Sequence, residues 1–223
     1  MTAGRFITLE GIEGAGKSTV ARFARDWLTA RGISVCLTRE PGGTPLAERV
    51  RQLVLDRQGE AITPVTETLM MFAARGLHVE NLIRPALARG EWVICDRFTD
   101  ATRAYQGAGR GVDREWIEQL ARAVQRDLQP DCTLLLDLPV SQGLERVKLR
   151  SGPMPTDRFE EEPARFFERV RAAYLDLAKA EPRRIRVIDA QGDLAAVQKQ
   201  VAAALEALSA APSGSGAHSG HPT

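Results

Sequence analysis

Five short runs rich in β-branched and aliphatic residues, at 6–10, 33–38, 92–96, 133–137 and 185–188, punctuate this chain and constrain its fold more than any other feature. Most are nearly continuous in apolar residues, the pattern of parallel strands covered on both faces. The intervals carry helical periodicity, over 17–31 (closed by Gly32), 45–57, 64–89 (ending near Gly90), 113–127, 140–150, 161–180 and 193–208. Strands alternating with helices predict right-handed crossovers, hence an α/β fold with a doubly wound five-stranded parallel sheet flanked by helices. A chain of 223 residues buries about 70% of its unfolded surface and needs no staples. One domain over 1–208 is expected, with a disordered Ser/Gly/Pro/His tail over 209–223. The breaker-rich patch 151–156 reads as a mobile loop.

Charge and cysteine usage narrow the function. Thirty basic residues face 29 acidic ones, a net charge of +1, so no field exists to collect polyanions; no nucleic-acid partner and no membrane-surface partner is expected. Cys36, Cys95 and Cys132 each lie inside an apolar run without CxxC spacing, which suits buried strand residues in a reducing cytosol rather than zinc or redox chemistry. The first residues reach a charge at Arg5, unlike a signal peptide. No run approaches the roughly 18 apolar residues of a membrane helix. The expected localisation is cytoplasmic.

The segment Gly11-Ile-Glu-Gly-Ala-Gly-Lys-Ser18 fits G-x-x-x-x-G-K-[ST] between a strand and a helix. With this chain's own composition the pattern arises by chance in roughly 0.3% of sequences, so a ligandless glycine turn is a poor explanation. Gly11, Gly14, Ala15 and Gly16 would turn successive N–H groups toward phosphate oxygens, at the positive end of the helix that follows. Lys17 would reach the β- and γ-phosphates, Ser18 would ligate Mg²⁺, and Thr19 would complete the ATP site. A guanine-reading N-K-x-D motif is impossible, since Asn81 is the chain's one asparagine and Leu82 follows it. No L-S-G-G-Q segment occurs either. Small-molecule kinases remain, and they need a second pocket.

Residues just beyond the strands would line that pocket: Thr38-Arg-Glu-Pro-Gly-Gly-Thr44, Asp96-Arg-Phe98 and Ala104-Tyr-Gln-Gly107, with Leu69-Met-Met-Phe-Ala-Ala-Arg75 between. These segments, in this order, resemble the thymidylate kinase family, in its bacterial form, from Phe6 to about Ala190. The resemblance implies phosphoryl transfer from ATP to dTMP, Mg²⁺ as cofactor, and a homodimer. Phe72 and Arg75 share one helix face, so Phe72 can stack on the pyrimidine while Arg75 donates to its O4. Arg97 would grip the acceptor phosphate; Arg39 either helps or forms a structural ion pair. The resemblance further implies that Glu13 contacts the 3′-hydroxyl and that Tyr105 and Gln106 cover sugar and base. Glu40 and Asp96 are expected to orient Mg²⁺-bound water, with Asp137 as the competing carboxylate. The family usually carries serine where Ala101 stands; Thr102 or a water takes over that contact. The helix over 64–89 is the candidate dimer face, though core packing explains its apolar character equally.

One branch of the family carries a catalytic arginine in the phosphate loop. Here the loop has none, so the chain resembles the branch that supplies it from a lid, expected over 146–159. Arg150 is the first candidate for the transition-state cation, followed by Arg146, also assigned to the ATP site, and Arg158. Two other readings stay open on the residues: a different nucleotide or deoxynucleoside kinase, and a nucleotide-binding regulatory module. The intact set of Lys17, Ser18, Arg97 and lid arginines argues against the module.

Overall fold

The structure is a computed structural model that describes residues 4–56, 60–151, 158–159 and 162–211. Its five strands are β1 (Phe6–Glu10), β2 (Val35–Arg39), β3 (Trp92–Asp96), β4 (Cys132–Asp137) and β5 (Ile185–Asp189). They form one parallel sheet in the order β2-β3-β1-β4-β5. Every residue of β1 is buried. Ile7 and Leu9 face α1 (Lys17–Thr29) and α9 (Leu194–Ala210), packing with Val20, Leu28, Val201 and Leu205. Phe6 points the other way, against Val79, Ile83 and Leu87. A central strand with both faces covered buries every residue, which is why 6–10 shows no polar alternation; its two polar members, Thr8 and Glu10, are buried with the rest. The edge strand β5 buries Ile185 and Ile188 and exposes Arg186 and Val187.

The remaining helices are α2 (Pro45–Leu55), α3 (Pro64–His78), α4 (Arg84–Ala88), α5 (Thr99–Thr102), α6 (Arg114–Gln125), α7 (Val140–Ser151) and α8 (Ala164–Ala180). Thr44 and Thr63 cap α2 and α3 through their hydroxyls, each followed by proline at the first helical position. Several boundaries differ from expectation for identifiable reasons. β2 begins at Val35, not 33, because the Ile33 N–H closes helix α1 on the Leu28 carbonyl. The helix expected over 64–89 is interrupted by a π-helical turn, Val79–Ile83. Pro85, which has no N–H to donate back into that turn, sits just beyond it. The helix expected from 161 starts at Ala164, after Pro163. Helix α9 runs to Ala210, so the first two residues of the expected tail are helical, while 212–223 lie outside the described residues. So does most of the expected mobile loop, at 152–157. α5 and the π-helical segment Arg103–Gly109 behind it were not legible as helix.

β1 is central: the chain runs from it out to β2, returns to β3 on one side of β1, and then crosses over β1 to β4 on the other. The crevice beyond the carboxyl ends of these strands is the place an open α/β sheet offers a ligand.

Candidate active site

The turn after β1 builds the phosphate cradle. Gly14 and Gly16 have φ of 76° and 91°, left-handed values that a side chain rarely adopts. A Cβ at Gly14 would also collide with the Gly143 carbonyl of α7. Gly16 is the N-cap of α1, so the loop delivers its N–H groups to the helix's positive end. Lys17 is buried and folds back, its Nζ 2.9 Å from the Ile12 carbonyl and 3.2 Å from that of Gly11. Burial, followed by Arg97, pushes its pKa below the usual lysine value. Around this loop opens a cavity lined by Glu13, Gly14, Gly16, Lys17, Ser18, Thr19, Arg22, Arg39, Glu40, Arg51, Asp96, Arg97, Arg146 and Arg150. Cations dominate that wall, as a polyphosphate requires.

A second cavity adjoins it and shares Glu13, Glu40, Arg51 and Arg97 with the first. Met71, Arg75, Phe98, Ala101, Thr102, Tyr105 and Gln106 complete much of its wall. Arg75, only 3% exposed, is held on three sides. Its Nε donates to Glu40 Oε2 (2.7 Å), and its Nη2 to the Phe98 carbonyl (3.2 Å) and Thr102 Oγ1 (3.0 Å). Its Nη1 is buried and has no hydrogen-bond partner among the described residues. A buried guanidinium donor without a partner calls for an acceptor atom. The hydroxyl of Thr102, which follows Ala101, is thus engaged by Arg75.

Two expected residues have other contacts than those foreseen for them. Phe72 does not line the cavity: it is 2% exposed and packs with Ile117 and Ala121, under the Arg75 guanidinium at 4.8 Å. Met71, four residues before Arg75, takes the wall position instead. Both i−3 and i−4 neighbour Arg75 on the helix, and packing against α6 turned the larger aromatic ring inward. Glu40 borders both cavities, but its two oxygens are taken, by Arg75 Nε and by His78 Nδ1 at 3.0 Å. Burial opposes its ionisation, and Arg75 with His78 overcomes this and lowers its pKa. It thereby orients the Arg75 guanidinium. Arg39 pairs with Glu48 at 2.9 Å and borders the phosphate cavity, not the second one.

Arg97 joins the two cavities. Its Nη2 donates to Glu13 Oε1 and to the Tyr105 hydroxyl (2.9 Å), its Nη1 to the Gly11 carbonyl (3.2 Å) and Tyr174 Oη (3.3 Å). It holds φ at 72°, a conformation seldom kept outside functional sites. Burial raises the pKa of Glu13, but Arg97 and then Lys17 overcome this and hold its carboxyl down at about 2. Arg150 adds to that effect, so its charge reaches the phosphate loop. Beneath Arg97, Glu10 accepts from the Phe98 N–H (2.8 Å) and the Tyr174 hydroxyl (2.6 Å).

Of the lid arginines, Arg146 and Arg150, on α7, line the phosphate cavity. Arg158 does not: its Nη2 donates to Glu67 Oε2 (2.6 Å) and its Nε to the Val54 carbonyl. Residues 152–157 of the expected lid lie outside the described residues.

The phosphate cavity also fits a divalent cation. Ser18 and Asp96 share it, and Asp96 Oδ1 is buried with no hydrogen-bond partner among the described residues. An oxygen-only donor pair beside a polyphosphate suits Mg²⁺, which keeps several waters. Asp137 is occupied in a two-point pair with Arg171, at 2.7 and 2.9 Å.

Sequence reasoning missed Arg51, Met71, Phe98 and Glu67 at or beside these walls. Met71 had a usable signal, its i−4 spacing from Arg75. Arg51 had none, being one of 26 arginines.

Comparison with known proteins agrees with this geometry. The family model for thymidylate kinase matches residues 9–201. The chain is 57% identical to the thymidylate kinase of Chromohalobacter salexigens, over 92% of this chain and 96% of that one. It is 55% identical to that of Methylococcus capsulatus, over 93% and 98%. The crystal structure of thymidylate kinase from Ehrlichia chaffeensis superposes with a TM-score of 0.72 at 35% identity, covering 91% of this chain and 99% of that one. A P-loop fold, two adjoining anion and acceptor cavities, and identity above one half across nearly the full length converge: this chain belongs to the thymidylate kinase family.

Proposed function

We propose that the chain transfers the γ-phosphoryl group of ATP to dTMP, giving dTDP and ADP, as a step of dTTP synthesis. The observation that carries this reading is the junction of the two cavities at Glu13, Glu40, Arg51 and Arg97. A nucleoside triphosphate on the phosphate loop and a monophosphate in the second cavity would meet at that junction, as in-line transfer demands.

The acceptor phosphate is largely a dianion at neutral pH, since its second pKa is about 6. No general base is therefore needed, and catalysis is positioning plus charge stabilisation. Lys17 exchanges its loop carbonyls for β- and γ-phosphate oxygens. Arg97 holds the acceptor phosphate, Glu13 the 3′-hydroxyl. Arg75 Nη1 donates to O4 of the base, and Tyr105 crowds C2′ against a ribose hydroxyl. Arg150 supplies positive charge at the transferring group, with Arg146 beside the ATP. Ser18, and Asp96 through a water, would hold Mg²⁺, which would supply neutralising charge to the phosphates.

The homodimer implied by the family finds support in exposed apolar residues on two packed helices: Leu46 and Leu53 of α2, Val65 and Leu69 of α3. Sedimentation of wild type against Leu69→Glu tests it; equal masses would reject that face. We assign the reaction to the cytoplasm, where free cysteines such as the three here stay reduced. Among the described residues no helix is long and apolar enough to cross a membrane.

The deciding experiment is a coupled assay of ADP release from Mg·ATP with dTMP, dUMP, dCMP, UMP and thymidine. The missing methyl should cost dUMP about 1–3 kcal/mol, whereas dCMP, which opposes a donor to Arg75, should lose about 10⁴-fold. Equal rates with dCMP refute the role of Arg75. ADP release independent of any acceptor refutes the kinase.

A further inference from the structure

Glu67 lies in the first turn of α3 and is 1% exposed. It does not line the acceptor cavity. Its Oε1 accepts from Gln106 Nε2 at 2.7 Å and from Arg110 Nε at 3.4 Å, and its Oε2 from Arg158 Nη2 at 2.6 Å. Gln106, by contrast, lines the cavity two residues beyond Ala104 in the π-helical segment, and is itself 2% exposed.

The chemistry of the pair fixes which way the Gln106 amide faces. A carboxylate flanked by two guanidinium groups offers lone pairs and no hydrogen, so the amide can meet it only with its NH₂ end. The usual ambiguity between O and N of a glutamine is thereby removed. With Nε2 turned to Glu67, the carbonyl oxygen lies on the opposite side of the amide, and it is the acceptor that Gln106 has for a ligand. Arg75 lies in the same wall, and its Nη1 is a donor without a partner among the described residues. A donor beside an acceptor complements the O4 and N3–H edge of thymine or uracil. Cytosine presents an amino group and a bare N3, the reverse pattern, and is opposed at both positions.

We propose that Glu67 is a positioning residue for base selectivity: without touching substrate, it holds the Gln106 amide so that its carbonyl reads the N3–H of a thymine or uracil monophosphate. This rests on the assignment of the second cavity to dTMP. In Glu67→Gln the facing group can donate as well as accept, so the Gln106 amide is free to turn over and offer Nε2 to cytosine N3. One of two opposed contacts is then relieved, while that with Arg75 stays.

The experiment compares kcat/KM for dTMP, dUMP and dCMP in wild type, Glu67→Gln and Glu67→Asp. Glu67→Gln should narrow the dTMP-to-dCMP ratio by about ten- to a hundredfold, the worth of one mismatched buried hydrogen bond. Glu67→Asp, still acceptor-only, should keep the wild-type ratio even if its rates fall. A purely structural Glu67 would lower all three acceptors by one common factor, and an unchanged ratio in Glu67→Gln overturns the proposal. If Glu67→Gln does not fold, Gln106→Leu decides instead: it must cost dTMP more than dCMP, and an equal loss overturns the proposal. A wild type that ignores dTMP would refute the functional assignment itself, a different outcome from a selective wild type whose ratio does not move.

Discussion

Replacing Glu10 by glutamine should stabilise the protein at neutral and alkaline pH and leave it nearly unchanged in acid. Glu10 ends the central strand with no exposed surface. Burial, reinforced by Asp100, lifts its pKa from 4.5 to about 7, against the opposing pull of Arg97. The folded state therefore keeps the carboxyl protonated over a range in which the unfolded chain ionises it. There the native state binds more protons, so wild-type stability falls as pH rises from about 4.5 to about 7. The shift of roughly 2.5 units corresponds to a cost of about 3 kcal/mol at pH 8. Glutamine mimics the protonated acid: Oε1 still accepts from Phe98 N–H, and Tyr174 can accept from the amide. Glu13, Glu40 and Asp100 have lowered pKa values, so they contribute stability that is lost as pH falls; Glu13 and Glu40 cancel in the difference between variant and wild type, and Asp100, which acts on Glu10, is ionised across this pH range in both. Urea unfolding of both proteins near pH 4, 6 and 8 gives that difference directly. A variant that gains by about 3 kcal/mol between the extremes supports the reasoning; a difference flat with pH refutes it.

Three further outcomes are expected. Arg150→Ala should lower kcat by about 10³-fold or more, the scale of a transition-state arginine, while Arg158→Ala, whose guanidinium is committed to Glu67, should stay within about tenfold of wild type; steady-state kinetics separate them. Asp96→Asn should raise the Mg²⁺ concentration for half-maximal rate by about tenfold, read from a Mg²⁺ titration at fixed ATP. Asp193→Ala removes the acceptor for Ala196 N–H at the start of α9 and should cost about 1 kcal/mol, a drop in Tm of about 2–4 °C by calorimetry.

The strand runs and the phosphate loop were legible because their information is local. A strand covered on both faces is mostly apolar along its length, and the loop's glycines sit at fixed spacing, so neither depends on distant chain. The acceptor motifs were equally visible as words; those at 38–44 and 96–98 begin at strand ends and so reach the same edge of the sheet, while 69–75 and 104–107 lie on helical segments. The π-helical segment over Arg103–Gly109 escaped because its residues, Tyr105 and Gln106 among them, are buried against α8 and α3 rather than along a helical stripe.

What the tertiary structure decided is which side chains meet. By sequence Arg75 and Glu40 had separate duties, but across 35 positions they form one buried pair, and of the guanidinium's nitrogens Nη1 alone is left without a partner among the described residues. Phe72 and Met71 are adjacent in sequence, yet the packing of α3 on α6 sends one to the core and the other to the cavity. Glu67 reads as an ordinary first-turn acid until folding brings Gln106, Arg110 and Arg158 to it. Periodicity and spacing constrain the backbone within one element; the partner of a polar side chain depends on the packing of several, and that is settled only once the chain has closed around the site.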